Sequence, residues 1–172
     1  MTTLRRQVMS DPALQIIFTR LSRDLARDTL IQTTTNELRT ALTADRVVLY
    51  YFYYKWSGRV TFESLSDRQF SILGSTGPDG CFNGEYAKLY EEGRVRAIPD
   101  IESEPIAPCH REHLQQLQVK ANLVVPIVID RGLWGLLVAH HCRSIYHWSA
   151  EEIVLMQTAA SKLAIVPSIY HS

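Results

Sequence analysis

Two nearly continuous apolar runs, Ala121–Asp130 and Leu133–Cys142, are joined by the tight turn Asp130-Arg131-Gly132. Runs rich in Val, Ile and Leu with a turn between them read as a strand pair. Neither run alternates apolar with polar residues, so both faces of the hairpin must be covered. A chain built on such a hairpin has to place further layers above and below its sheet.

The other segments supply those layers. Leu14, Ile17, Phe18, Leu21 and Leu25 fall at three- and four-residue spacing, and Leu30, Leu38 and Leu42 continue it, so residues 12–42 read as helical. Asp11-Pro12 is a helix start, and Asp28-Thr29 divides the region into two helices. Val47–Tyr54 is β-branched and aromatic, and Ser57-Gly58 gives a turn before Arg59–Leu65, a first hairpin. Ser71–Gly80 is rich in Gly, Ser and Pro and reads as a loop of the length that is often functional. A short helix over about Asn83–Glu92 would place Tyr86, Leu89 and Tyr90 on one side and stop at Gly93. Arg94–Ile98 reads as a brief strand, and a helix from about His110 to Leu117 follows the loop bracketed by Pro105 and Pro108. The last helix begins near Ser149, with Leu155, Ala159 and Leu163 on its buried side. This order predicts an α+β fold, a central antiparallel sheet with helices on both sides, in a single domain over 1–172.

Charge is balanced, with 18 basic and 18 acidic residues, which leaves no electrostatic footprint for nucleic acid or an anionic membrane. No apolar run approaches a membrane span, and the residues after Met1 lack a signal-peptide core. A cytoplasmic setting is therefore expected, with the three cysteines as thiols and not as a disulfide frame.

Cys109 follows Pro108 where a helix begins, with His110 and Arg111 next to it. Helix-start amides and a neighbouring cation favour thiolate over thiol, and a thiolate adds to electron-poor carbon. A buried cysteine beside a solvated histidine fits the same residues. Cys81 ends the Gly/Pro-rich loop in Asp79-Gly80-Cys81-Phe82; Gly80 lets the backbone pass close to a bulky ligand, and Asp79 offers an acceptor for N–H groups. An ordinary Pro-Asp-Gly turn followed by two core residues fits equally. Arg94 and Arg96 share strand parity and can reach one face, with one of the two expected to be only a surface charge. His140 and His141 close an apolar strand and point to opposite faces. Cys142 reads as structural.

The motifs Asp79-Gly80-Cys81-Phe82, Gly93-Arg94-Val95-Arg96, Cys109-His110, Ala121-Asn122-Leu123-Val124-Val125-Pro126-Ile127 and Leu133-Trp134-Gly135-Leu136-Leu137-Val138-Ala139-His140 occur in this order. The series resembles the cyanobacteriochromes, phytochrome-related GAF photosensors, and within them the subgroup marked by Asp-Xaa-Cys-Phe. The resemblance covers roughly residues 12–166. It implies the GAF fold and a covalent linear tetrapyrrole, phycocyanobilin or phycoviolobilin. Cys109 matches the cysteine of the permanent thioether, and Cys81 the second cysteine, which adds reversibly at C10. The resemblance further implies two-colour switching by C15=C16 isomerisation, between a blue-absorbing dark state and a green-to-orange photoproduct. In the family the residue matching His110 stacks on or bonds the rings, and the pattern favours His140 near ring D or a propionate. With such a ligand Asp79 would accept from pyrrole N–H groups, Arg94 and Arg96 would pair with the propionates, and His113, one turn after His110, would reach a propionate. Phe82, Tyr90 and Tyr86 would pack on the rings, unless they are core.

An output module of chemotaxis, kinase or cyclase type is the implied partner, and the amphipathic first helix suits a homodimer. Three other readings draw on the same residues. Cys81, Cys109, His113, His140 and Cys142 are metal-ligand types, yet no close pair has a zinc spacing, and no metal is expected. A GAF domain that binds another small molecule or only dimerises is the main alternative. An enzyme is not expected, because adjacent Cys109 and His110 rarely orient as nucleophile and base.

Overall fold

The computed structural model describes residues 12–54, 56–77 and 84–172. Helix α1 (Pro12–Arg27) buries Leu21 and Leu25, and α2 (Thr29–Ala41) buries Ile31, Thr34, Thr35 and Leu38. The break falls at Asp28, whose extended backbone ends one helix while its carboxylate accepts the Ile31 N–H at 3.1 Å and caps the next. Asp11, expected to start the first helix, lies outside the described residues.

Strands β1 (Arg46–Tyr54) and β2 (Ser57–Leu65) form the first hairpin. Ser57 and Gly58 belong to β2, so the turn comes earlier than the Ser-Gly pair suggests. A 3-10 turn at Arg68–Phe70 leads into the loop after Ser71, which Thr76 ties back to Arg59 by a single bridge. Then follow α3 (Gly84–Glu91), β3 (Arg96–Ile98), α4 (Pro108–Gln116), β4 (Ala121–Ile129), β5 (Gly132–His141), α5 (Ala150–Ala164) and α6 (Pro167–Tyr170). Gly93, at φ +98°, ends the α3 segment in a conformation that L residues rarely adopt.

The five strands are ordered β2-β1-β5-β4-β3, and every pairing is antiparallel. Successive residues of a strand face opposite ways, and the burial follows that alternation. Val47, Leu49, Leu123, Val125, Leu137 and Ala139 face α1, α2 and α5 in the main core. Val48, Val124, Leu136 and Val138 face the other way and join Phe52, Val60 and Tyr90 in a second cluster. Both faces of the apolar hairpin are therefore covered.

On the second side, Ile98, Ile101, Leu114 and Val119 anchor α4 beside the sheet edge. Helix α5 is seated by a capping box between Ser149 and Glu152. Its inner face is Met156, Ala159, Ala160 and Leu163, while Leu155 is 41% exposed. Strict four-residue steps back from Leu163 drift off the inner stripe of a helix with 3.6 residues per turn. Among the described residues no helix is long and apolar enough to cross a membrane.

Candidate functional site

The second face of the sheet is the floor of a cavity of about 650 Å³, in the range of small-molecule sites. Val48, Val60, Val124, Leu136 and Val138 form its apolar base, and Tyr86 and Tyr90 of α3 flank it. Its polar groups come from separate elements: Arg94 after α3, Arg96 on β3, His110 and His113 on α4, Asn122 on β4 and His140 on β5.

The fold thus gathers Tyr90, Arg94, Arg96, His110, His113 and His140 around one cavity. Both arginines border it, so neither is merely a surface charge. The Arg94 guanidinium lies 5.7 Å from the ring centres of both Tyr86 and Tyr90, and Arg96 pairs with Glu104 at 3.3 Å. His113 follows His110 by three positions, which sets both on one side of α4. His140 and His141 do point apart. His141 leaves the cavity, bonds the Leu42 carbonyl through Nε2 at 3.1 Å and stacks on Tyr146 at 4.0 Å.

Cys109 is the second residue of α4, which starts at Pro108, ahead of the His110 start read from sequence. It is exposed and does not line the cavity, although Ala107 and His110 beside it do. It is disulfide-bonded, contrary to the expectation of three thiols. Cys142 is the free cysteine among the described residues; burial pushes its thiol up to about 11, which makes it inert. Asp79, Cys81 and Phe82 lie outside the described residues.

Burial, then His113, Arg96 and Arg94, lower His110 to about 4. At neutral pH it is an uncharged ring, so it cannot act as the cation that stabilises a Cys109 thiolate.

Two site residues escaped the sequence reading. Asn122 is 3% exposed, lines the cavity, and its Oδ1 has no partner among the described residues. It is the one polar residue of an apolar strand, a signal that was legible. Arg46, 1% exposed, donates from Nε to His140 Nδ1 at 2.8 Å across 94 positions of sequence, a pairing that no local pattern announces.

An apolar floor, aromatic walls, two arginines and two buried polar groups suit an elongated, largely apolar ligand that carries carboxylates. The donor set fits a linear tetrapyrrole on these grounds.

The GAF domain model matches residues 26–166. An uncharacterised protein of Picosynechococcus sp. is 48% identical over 91% of this chain and 96% of its own length. A protein named as a putative methyl-accepting chemotaxis protein of Synechocystis sp. is 43% identical over 69% of this chain, which spans only 12% of that protein. Among solved structures, the blue-light absorbing form of the Thermosynechococcus elongatus PixJ GAF-domain is 34% identical, with a TM-score of 0.77 over 87% of this chain and 88% of that one. The phycocyanobilin-bound GAF domain from a cyanobacterial phytochrome is 30% identical, with a TM-score of 0.72 over 91% and 94%. With the family model matched from the end of α1 to past α5, on a five-stranded antiparallel sheet flanked by helices, the chain belongs to the GAF domain family.

Proposed function

We propose that this chain is a single light-sensing domain that carries phycocyanobilin or phycoviolobilin as a thioether on Cys109, with Cys81 as a second, reversible thiol. The observation that carries this reading is the cavity itself, in which arginines, histidines and tyrosines from α3, β3, α4 and β5 converge over an apolar floor. The likeness to the PixJ GAF-domain and to a phycocyanobilin-bound domain supports it.

Each residue then has a task. Arg94 and Arg96, with His113, hold the propionates by charge-assisted hydrogen bonds. Neutral His110 and Tyr90 pack against the rings, and the resemblance gives Phe82 and Asp79 the same task. His140 donates to a polar atom of a terminal ring. Attachment adds the Cys109 S–H across a carbon–carbon double bond, forming one C–S and one C–H bond with no leaving group and no oxidant. When bound, the chromophore would supply visible absorption and a C15=C16 bond that light isomerises, and Cys81 would be the thiol that adds reversibly, its sulfur to C10 and its proton to a ring nitrogen. The domain performs no catalysis of its own and passes its state to a chemotaxis, kinase or cyclase module.

Because Cys109 is disulfide-bonded here, attachment requires prior thiol–disulfide exchange with an external thiol reductant, which is oxidised as the Cys109 thiol is released. Protein co-expressed with phycocyanobilin is expected to keep zinc-dependent fluorescence after denaturation, and Cys109→Ala to lose it entirely. Retention of covalent fluorescence by Cys109→Ala would remove the anchor from Cys109.

A further inference from the structure

Arg46 is a fully buried cation with no carboxylate in salt-bridge distance among the described residues. It makes bonds to three neutral acceptors instead. Nη1 donates to the Phe70 carbonyl at 2.8 Å, Nη2 to the Leu117 carbonyl, and Nε to Nδ1 of His140 at 2.8 Å. The carbonyl bonds pin the guanidinium between the 3-10 turn and the end of α4, so it is held rigidly against the imidazole.

The third bond has a chemical consequence. A guanidinium offers only donors, so His140 Nδ1 must present its lone pair. The neutral ring then carries its one proton on Nε2. A proton on Nδ1 would set N–H against N–H beside a permanent charge. His140 is 4% exposed and lines the cavity, and the hydrogen bond it makes to Arg46 is at Nδ1, on the other side of the ring from Nε2. Its cross-strand neighbour Asn122 leaves a buried acceptor, Oδ1, without a partner among the described residues in the same cavity. An unsatisfied buried polar atom is costly, so the open Asn122 acceptor beside His140 marks a place where a ligand completes the bonding.

We infer that Arg46 is a positioning residue that holds His140 neutral and in the Nε2–H tautomer, so that the cavity presents one fixed, uncharged donor beside the Asn122 acceptor. Such a donor suits an uncharged carbonyl and leaves carboxylates to Arg94 and Arg96. The charged and titratable groups that face His140 are Arg46 from β1, His113 from α4 and His141 on its own strand. All three oppose a proton on it, as does its burial. This lock is a property of the protein alone and stands whether or not the ligand is a tetrapyrrole.

The test is long-range proton–nitrogen correlation of the six imidazoles in the ¹⁵N-labelled full chain, prepared without chromophore, with His140→Gln to assign the signals. His140 should show a bare Nδ1 and a protonated Nε2, unchanged from about pH 8 to about pH 5. An Nδ1–H tautomer, a mixture, or protonation within that range would overturn the inference. Arg46→Met should release the ring into both tautomers or into titration. Folded Arg46→Met protein with His140 still locked as Nε2–H would show that Arg46 does not set the tautomer. If that variant does not fold, the wild-type titration alone decides.

Discussion

A histidine beside a cysteine suggests a base next to its nucleophile, but burial and cationic neighbours hold the pKa of His110 at about 4. That depression has a consequence for stability. In the unfolded chain His110 titrates near its ordinary value of 6.5 and in the fold near about 4, so between them the unfolded state binds the extra proton. The contribution of His110 is fully present above pH 6.5 and is lost as pH drops from there toward about 4, by up to about 1.4 kcal/mol for each pH step of one between the two values. Thermal denaturation at several pH values should show this slope, and His110→Gln should flatten it. His140 and His141 are also lowered by burial, so some slope will remain. An identical profile in wild type and variant would contradict the assignment. At this scale the sequence disclosed which residue types face the cavity but not how they are wired. His140 could be singled out at the end of its strand; Arg46, which governs it, is joined to it only by the β1–β5 pairing.

Elements were legible where their signals are local. The Asp28 cap, the Ser149 start and the apolar hairpin all rest on neighbouring residues. Ser149→Ala removes the side-chain arm of the capping box and should cost about 1 kcal/mol in urea denaturation; an unchanged midpoint would mean that α5 is held by packing alone. Gly135 is a different case. A Cβ built there would overlap the Tyr50 carbonyl oxygen of β1. Because the obstacle is backbone, Gly135→Ala should destabilise the fold by about 1–3 kcal/mol or more through separation of β1 from β5. A midpoint shift near zero would show that the pairing can relax. Nothing in the local pattern reveals this, since the close approach exists only once two strands far apart in sequence are paired. The order β2-β1-β5-β4-β3 was hidden for the same reason, whereas the inner stripe of α5 was misjudged by counting strict four-residue steps along a helix of 3.6 residues per turn.

The whole molecule divides its tasks between two faces of one sheet. Helices α1, α2 and α5, with Ile169 of α6, seal one face into the main core, while the other is left to a cavity walled by α3, α4 and the segments around them. This division explains why the β4–β5 hairpin is apolar on both sides yet interrupted by Asn122 and ended by His140. The proposed function gives Cys109 and Cys81 different tests. Cys81→Ala should abolish the blue band and leave the covalent chromophore on Cys109, absorbing at longer wavelength. A retained blue band would remove Cys81 from its role. Whether this cavity holds a photoactive tetrapyrrole is tested most directly by the absorption spectrum of the full chain co-expressed with phycocyanobilin, before and after blue light. A blue band that converts reversibly to a green-to-orange one is the expected result. Colourless protein recovered from cells that make the pigment would contradict it.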